Sequence, residues 1–294
     1  MSPVQAWWLA IRPRTLPAAT APVLVGTAHA FREARFALGP ALAALVGALL
    51  IQIVSNLAND YFDFKKGADT EERLGPTRVT QSGLISERGV LTGLVVCILL
   101  ALLVGLYLVW VGGWPIVAVG LVSLLCAVAY TGGPYPLGYN GLGEIFVFVF
   151  FGPVAVAGTV YVQSHAWSPA ALLAGVPIGL LCANILVVNN VRDFETDAKA
   201  GKRTLAVRFG RDFGVNLYLE NIGLALAGLV GYSIAAHAYF ALAASLVLLA
   251  ARPLYRALKE QRGKPLNAIL GRTAQLELLF ALVMALGIAF SARL

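Results

Sequence analysis

Long apolar runs cover most of this 294-residue chain and leave little of the polar surface that a soluble protein needs. Hydrophobic residues make up 59% of the chain and charged residues only 13%, whereas soluble domains average about 45–50% and about 25%. A transmembrane helix needs about 20 mainly apolar residues. We predict nine spans, at roughly 15–31, 38–59, 90–111, 114–130, 142–162, 169–190, 213–236, 238–252 and 272–291. The composition excludes a disordered chain and disfavours a soluble enzyme; it predicts one all-α, polytopic membrane domain over residues 1–294.

The basic residues are divided unevenly between the two ends of the predicted spans. With nine spans, 19 of the 22 lysines and arginines fall on the side of the N-terminus, and only Arg32, Arg35 and Arg293 fall on the other. Cytoplasmic loops of membrane proteins carry the excess of Lys and Arg. We therefore expect the N-terminus and the two long polar loops, about 60–89 and 191–212, to lie in the cytoplasm. The formal charge of +7 reflects this topology and does not indicate a nucleic-acid partner.

Two aspartate-rich motifs mark the ends of the second and sixth predicted spans. The first contains Asn56, Asp60 and Asp63, and the second contains Asn189, Asp193 and Asp197. On a helix each set occupies one face, with spacings of i, i+4, i+7 and i, i+4, i+8. Both motifs begin with Asn-x-x-x-Asp, and both lead into a basic loop. One interpretation is a pair of solvated loops whose acids pair with nearby cations; the other is a metal site.

The metal interpretation explains why the same pattern occurs twice. Ionised carboxylates near a bilayer are costly unless a cation neutralises them. Mg²⁺ prefers oxygen ligands and commonly binds through one or two carboxylates together with substrate phosphates. The motifs therefore predict Mg²⁺ ions that bridge to a diphosphate, which then becomes a good leaving group. The candidates for binding its outer phosphate oxygens are Lys65, Arg78, Lys202 and Arg203.

Two other segments supply candidates for binding an aromatic acceptor. The loop between the fourth and fifth spans carries Tyr130, Tyr135 and Tyr139 and no basic residue. These rings could line an aromatic pocket or face a developing carbocation, or they could be ordinary interfacial tyrosines. Arg12 and Arg14 precede the first span; they could bind an acceptor carboxylate with two hydrogen bonds or serve only as topological charges.

An ordered set of motifs makes the chain resemble a known family. The motifs are Arg12-Pro-Arg14-Thr-Leu-Pro, Asn56-Leu-Ala-Asn-Asp-Tyr-Phe-Asp63 with Lys66-Gly-Ala-Asp69, Gly75-Pro-Thr-Arg78, Gly138-Tyr-Asn-Gly-Leu-Gly-Glu144, Asn189-Asn-Val-Arg-Asp193-Phe-Glu-Thr-Asp197 and Gly201-Lys-Arg-Thr-Leu-Ala-Val-Arg-Phe-Gly210. Together they resemble the UbiA-type intramembrane aromatic prenyltransferases, and within them the branch that acts on 1,4-dihydroxy-2-naphthoate. The resemblance extends over essentially the whole chain.

The resemblance implies a helical bundle around a central cavity in a bacterial cytoplasmic (inner) membrane. Mg²⁺ would be held by Asn56, Asp60, Asp63, Asp69, Asn189, Asp193 and Asp197, with the aspartates Asp60, Asp63, Asp193 and Asp197 essential to catalysis. We predict that the acceptor is bound by Arg12, Arg14, Asn59, Tyr130, Tyr135 and Tyr139. In the wider superfamily the first two aspartates are four residues apart, whereas Asp60 and Asp63 are three apart. Whether Asp63 or Asp69 supplies the further metal ligand stays open.

The implied reaction is Mg²⁺-dependent transfer of a polyprenyl group from its diphosphate to the naphthoate. Carbon dioxide would be lost and demethylmenaquinol formed, a step of menaquinone biosynthesis. The nearest alternative is the same chemistry on another acceptor, such as 4-hydroxybenzoate, homogentisate, haem or a chlorophyllide. A cation-coupled transporter is an alternative of a different class, although it would more naturally place its acids at mid-membrane. A CDP-alcohol phosphotransferase would need an Asp-Gly-x-x-Ala-Arg type motif, which the sequence lacks.

Overall fold

The computed structural model describes residues 1–68 and 73–293, and within these ranges the chain is helical, without a strand. The α-helices are α1 Pro3–Ile11, α2 Leu16–Arg32, α3 Leu38–Lys65, α4 Glu87–Gly112, α5 Trp114–Ala129, α6 Gly143–Val149, α7 Ala155–Ser164, α8 Pro169–Arg192, α9 Phe194–Lys199, α10 Leu205–Phe209, α11 Arg211–Ala235, α12 Ala251–Glu260 and α13 Leu266–Phe290. A π-helical segment, Phe150–Val154, joins α6 to α7, and a 3₁₀ segment, Tyr239–Ala250, leads into α12. The predicted all-α membrane class is confirmed.

Among the described residues, seven helical segments are long and apolar enough to cross a membrane. They are α3, α4, α8, α11, α13 and the continuous segments Gly143–Ser164 and Tyr239–Glu260. Helices also cover the two other predicted runs, but α2 has 17 residues and α5 has 16, which is short of the about 20 needed for a full span. The count of nine spans therefore stays a prediction, while the chain is a multi-pass membrane protein.

Side-chain caps fix where several of these helices begin. The hydroxyl of Ser86 accepts a hydrogen bond from the backbone N–H of Gly89 at the start of α4, and Ser168 accepts one from Ala171 at the start of α8. Such N-caps satisfy one of the backbone donors that a helix leaves unpaired at its N-terminus. The polar loops can therefore end abruptly at the first turn of an apolar helix.

Helix α8 occupies the centre of the bundle, and its glycines let the α6–α7 segment come very close. A Cβ atom on Gly175 would lie 2.6 Å from the carbonyl carbon of Gly152, and one on Gly179 would collide with the carbonyl oxygen of Phe148. The π-helical segment contains Pro153, which has no N–H to donate to the helical ladder. This close crossing sets the position of α8, whose end carries the second aspartate motif.

The main apolar core lies on one side of α8, where Ile178 packs with fully buried side chains from α11 and α13, including Tyr218, Leu229 and Phe280. On the other side, α4 and α5 pack against α3 and leave most of their own surface outside. Only 11% of the most apolar part of α4 is buried within the protein. We expect this outer surface to face lipid.

Candidate active site

A cavity of about 560 Å³ extends between α2, α3, α5, α8 and the α6–α7 segment. One end of the cavity is polar and contains side chains from both aspartate motifs, including Asp63, Asp193 and Asp197. The remainder is lined by apolar side chains such as Val109 of α4 and Phe150 of the π-helical segment. The arrangement suits a long, apolar molecule that carries a charged group at one end.

Asp63 is a carboxylate of the first motif that lines the cavity. It is 1% exposed, near the end of α3. One of its oxygens accepts hydrogen bonds from Arg78, at 2.9 Å, and the other from the hydroxyl of Tyr139, at 2.7 Å. The ammonium group of Lys202 lies 3.5 Å from the same carboxylate. The buried charge is thus stabilised by two cations and one hydroxyl.

Asp60, one turn earlier on α3, anchors the loop that follows the first motif. Its carboxylate accepts hydrogen bonds from the backbone N–H groups of Val79 and Thr80, at 3.2 and 3.0 Å, and from the Thr80 hydroxyl. A guanidinium nitrogen of Arg12 lies 4.0 Å away. Asp60 lies behind the cavity wall, whereas Asp63 lines it. Asp60 therefore holds in place the loop that brings Arg78 to Asp63.

Arg192 organises the second motif. It is 3% exposed and is the last residue of α8. Its guanidinium donates to both carboxylate oxygens of Asp193, at 2.8 and 2.5 Å, and to the amide oxygen of Asn189, at 2.8 Å. It also donates to Asn267 of α13, whose own amide N–H donates to the carbonyl of Leu74. A single buried arginine thus connects the second motif to the loop that follows the first.

The helical phase of the second motif is interrupted. The spacing of Asn189, Asp193 and Asp197 predicts one continuous helix face, but α8 ends at Arg192, and Asp193 has non-helical dihedral angles before α9 begins at Phe194. All three motif residues nevertheless line the cavity. The change of direction between α8 and α9 brings Asp197 towards Lys202 and the first motif.

Lys202 and Tyr139 bridge the two motifs. The Lys202 ammonium group is 3.5 Å from Asp63 and 3.9 Å from Asp197. It also lies 4.8 Å from the centre of the Tyr139 ring, and Lys66 lies 4.6 Å from the same ring. Burial lowers the pKa of Lys66, whose ammonium group donates to the carbonyl of Thr131. One tyrosine ring therefore holds two cations close to the polar end of the cavity.

The carboxylates of the two motifs are near enough to influence one another. Burial raises the pKa of the Asp197 carboxyl to about 7; Lys202 opposes this rise, and the charges of Asp193 and Asp63 add to it. Asp197 is 8% exposed. Concentrated negative charge of this kind favours the binding of a cation at the polar end of the cavity.

The donor set at this end fits Mg²⁺ bound together with a phosphate ligand. The cavity lining includes five residues whose side chains carry carboxylate or amide oxygens: Asn56, Asp63, Asn189, Asp193 and Asp197. Among the described residues no three His, Cys, Asp or Glu side chains form a preformed metal cluster. Mg²⁺ does not need one, since it keeps water ligands and takes substrate phosphates as partners.

The predicted acceptor residues divide into two groups. Arg12, Asn59, Tyr130 and Tyr139 line the cavity. Asn59 accepts a hydrogen bond from the hydroxyl of Thr131 at 2.8 Å. Arg14, by contrast, is exposed in the short turn before α2, and Tyr135 is 59% exposed at the tip of its loop. Asn56 turns its amide N–H towards the carbonyl of Ile11, at 2.9 Å, and so supports the arginine-bearing turn.

Two of the predicted phosphate ligands also lie away from the cavity, and one metal candidate falls outside the described residues. Lys65 pairs with Glu87 at 2.6 Å on the outside of the bundle. The Arg203 side chain is exposed, and the contact it makes here is through its backbone N–H, which donates to the carbonyl of Tyr139 at 2.7 Å. Arg78 and Lys202 lie where a phosphate could reach them. Asp69 is outside the described residues.

Four contributors to this site were not among the predicted site residues. Lys66 is exposed and follows the last residue of α3, and its ammonium group donates to the carbonyl of Thr131 beside the site. Arg192 and Asn267 connect the motifs, and Asn190 donates to the buried Glu144 at 2.8 Å. The position of Arg192, three residues after one motif asparagine and directly before an aspartate, was the one available signal for its role.

The fold and the site together define a multi-pass membrane protein whose cavity combines a charged end with an apolar channel. Residues 19–276 match the model of the UbiA prenyltransferase family, and the chain belongs to that family. It is an enzyme, a prenyltransferase. The resemblance seen in the motifs is thereby confirmed.

Relatives and solved structures agree with this assignment. The chain is 39% identical over 302 residues to the 1,4-dihydroxy-2-naphthoate octaprenyltransferase of Escherichia coli, covering 99% of this chain and 97% of that protein. It is 39% identical over 294 residues to the Mycobacterium tuberculosis protein of the same name, covering 99% of both. A UbiA homologue from Archaeoglobus fulgidus, solved with GPP and Mg²⁺, has the same fold, with a TM-score of 0.69 at 16% identity over 97% of this chain and 99% of that one.

Proposed function

We propose that this prenyltransferase moves a polyprenyl group from its diphosphate to 1,4-dihydroxy-2-naphthoate, with loss of carbon dioxide. The main support for the proposal is that both aspartate motifs line one end of the same cavity, whose remainder is an apolar channel. The relatives named for this acceptor, which match nearly the whole chain, support the choice of naphthoate. The demethylmenaquinol product would belong to menaquinone biosynthesis.

The two aspartate motifs would bind the diphosphate through Mg²⁺. Asp63, Asp193 and Asp197 would hold the metal, with the amide oxygen of Asn189 assisting, and Asp60 would act by fixing the loop that carries Arg78. Bound Mg²⁺ would neutralise the diphosphate and make it a better leaving group. Homologues solved with Mg²⁺ and a prenyl diphosphate support this part of the proposal.

The cations of the site would change partners when substrate arrives. Arg78 and Lys202 neutralise Asp63, and the Lys66 ammonium group lies 4.6 Å from the centre of the Tyr139 ring. Phosphate oxygens would take these donors as charge accumulates on the departing diphosphate. Interactions that strengthen while that charge develops lower the barrier to breaking the carbon–oxygen bond.

The acceptor would sit between the charged end and the prenyl chain. Arg12 lines the cavity and could bind the naphthoate carboxylate, while Tyr130 and Asn59 form the adjacent wall. The ring carbon that bears the carboxylate would attack the allylic cation, forming a carbon–carbon bond. Carbon dioxide then leaves without its bonding electrons, which return to the ring, so that no base is needed to remove a ring proton.

We also propose that the active site faces the cytoplasm. The loops that carry most of the basic residues are tied to the same end of the bundle, since Arg192 contacts Asn267 and Arg211 donates to the carbonyls of Leu258 and Gln261. An excess of Lys and Arg on one side favours a cytoplasmic location. Labelling of single cysteines introduced into these loops, in sealed inverted vesicles, tests this orientation.

The reaction is tested by following product with two acceptors. The purified chain is incubated with geranyl diphosphate, Mg²⁺ and either 1,4-dihydroxy-2-naphthoate or 4-hydroxybenzoate. We expect a decarboxylated, prenylated product with the naphthoate only, abolished by EDTA and by Asp193→Asn. Asp212→Asn is the matched control, because the Asp212 side chain is 94% exposed at the start of α11. Product with 4-hydroxybenzoate alone, or unchanged turnover in EDTA, would contradict the proposal.

A further inference from the structure

A second groove lies on the outer surface of the bundle, away from the active site. It has a volume of about 360 Å³ and runs between the segment Tyr239–Glu260 and α13. Its lining consists of Val247, Ala250, Pro253, Leu254, Ala257, Gln261, Ile269, Arg272, Gln275, Leu276 and Leu279. None of these residues contributes to the prenyl-transfer cavity.

The groove is polar at one end and apolar at the other. The two segments are antiparallel, so Gln261 lies near the start of α13, where Arg272 and Gln275 also line the groove. Val247 and Leu279 line the groove farther from this polar end. A charged head bound beside the arginine and a chain extending along the apolar part would match this order.

Arg272 is the residue of the groove that could bind an anionic ligand. It is exposed on a membrane-spanning helix, past the first turn of α13. Within residues 1–68 and 73–293, no carboxylate oxygen lies within 4.0 Å of its guanidinium nitrogens. Arg272 is the first residue of the last predicted span, so we expect its guanidinium to lie near the membrane interface, where anionic head groups attract cations. An anionic group from the lipid phase would supply the missing partner.

The surface around the polar end is strongly basic. Between residues 251 and 272 there are six lysines and arginines and one acid, Glu260. Helix α12 is amphipathic: Leu254 and Leu258 are buried, while Arg252, Arg256 and Lys259 are exposed. Arg272 is one of the loop cations that the topology rule already accounts for, but it also lines the groove. Basic pockets between helices are suited to anionic lipid head groups.

We propose that this groove binds one anionic glycerophospholipid. Its phosphate would be bound by Arg272 with Gln261 and Gln275, and an acyl chain would lie along Val247 and Leu279. The exposed cations of α12 would attract further anionic head groups to the same end of the bundle. The lipid would stabilise the packing of α12 against α13 from outside.

The test compares phosphatidylglycerol with phosphatidylcholine of identical acyl chains. The delipidated protein in neutral detergent is titrated with each lipid, and binding is followed by native mass spectrometry and by thermal unfolding. We expect phosphatidylglycerol to bind preferentially and to raise the unfolding temperature. Arg272→Gln should weaken phosphatidylglycerol binding about fivefold, the equivalent of ~1 kcal/mol for one interfacial cation.

Two further variants separate the groove from general surface charge. Arg88→Gln is the matched control, because Arg88 is an exposed arginine near the start of α4 and outside the groove; it should leave the preference unchanged. Ala250→Trp should fill the apolar end and weaken binding while all charges remain. The proposal is overturned if both lipids bind equally, if Arg272→Gln behaves like Arg88→Gln, or if soluble glycerol phosphate stabilises the protein as well as the lipid does.

Discussion

Tyr139 offers a test of the site that separates one hydrogen bond from two cation contacts. Tyr139→Phe removes the hydroxyl that donates to Asp63 at 2.7 Å and keeps the ring that faces Lys66 and Lys202. A hydrogen bond to a charged group contributes about 1.5–3 kcal/mol, which corresponds to roughly 10- to 150-fold in an equilibrium or a rate. We expect kcat/KM for prenyl transfer to fall about tenfold, the lower end of this range.

The same substitution should change the response to metal. Without the hydroxyl, Asp63 is less well oriented, so a higher Mg²⁺ concentration should be needed for half-maximal activity. Tyr139→Leu also removes the ring, and each cation contact contributes about 0.5–1 kcal/mol. We therefore expect a further loss of roughly fivefold or more, together with a higher KM for the diphosphate.

The assay is initial-rate prenyl transfer at varied Mg²⁺ and varied geranyl diphosphate. Tyr135→Phe is the control, since Tyr135 lies on the same loop but is 59% exposed. Thermal unfolding of each variant shows whether any loss comes from misfolding. The reasoning is refuted if Tyr139→Phe matches Tyr135→Phe in rate and Mg²⁺ response, or if the folded Phe variant loses as much activity as the Leu variant.

Three other substitutions have clear expected outcomes. Lys66→Met should raise the KM for the diphosphate roughly tenfold. Lys65→Met breaks an outer ion pair with Glu87 and a contact with the Tyr61 ring, and it should leave steady-state kinetics unchanged; equal effects of the two variants would contradict the placement of Lys66. Gly179→Ala should lower the free energy of unfolding by about 1–3 kcal/mol, because the added Cβ atom collides with the α6 backbone. Gly223→Ala is the control: its added Cβ atom has no neighbour within 4 Å, so it should be neutral or slightly stabilising in thermal unfolding. Glu277 is fully buried and neither of its oxygens has a hydrogen-bond partner in the described chain. Glu277→Met should therefore raise the free energy of unfolding by about 1–3 kcal/mol, which thermal unfolding measures. A folded but inactive variant would contradict a purely structural role for Glu277.

The sequence was sufficient to predict the class of fold and the two motifs that meet in the cavity. Apolar runs long enough to span a membrane predict helices, because backbone N–H and C=O groups in lipid must form their hydrogen bonds within the segment itself. The positions of Asn56 and Asp63 on α3 follow from the same periodicity. Residues of both Asn-x-x-x-Asp motifs line one cavity, and their joint action on one substrate stays a prediction.

Contacts that depend on tertiary packing could not be predicted in the same way. Lys65 and Lys66 are equivalent in sequence, yet the end of α3 sends one outward and the other to Tyr139. The turn between α8 and α9 breaks the expected single face at Asp193. In the sequence, Arg192 resembles the other basic residues of the loop. Its connecting role depends on α13, which places Asn267 within hydrogen-bonding distance.

The loop tyrosines show the same limit. Tyr130 and Tyr139 line the cavity, whereas Tyr135 does not, because the chain turns through a short 3₁₀ segment, Leu137–Asn140. Residue type and spacing are the same kind of signal for all three rings. Only the path of the loop distinguishes them.

The central claim is that both aspartate motifs hold one Mg²⁺–diphosphate, and a double-mutant cycle on binding tests it most directly. Calorimetry measures geranyl diphosphate binding in Mg²⁺ for the unmodified chain, for Asp63→Asn, for Asp193→Asn and for the double variant. We expect each single change to weaken binding and the double change to cost less than the sum, with a coupling energy of about 1 kcal/mol or more. Losses that add to within about 0.5 kcal/mol, or binding that is unaffected by removing Mg²⁺, would show that the two motifs do not hold a shared metal–diphosphate.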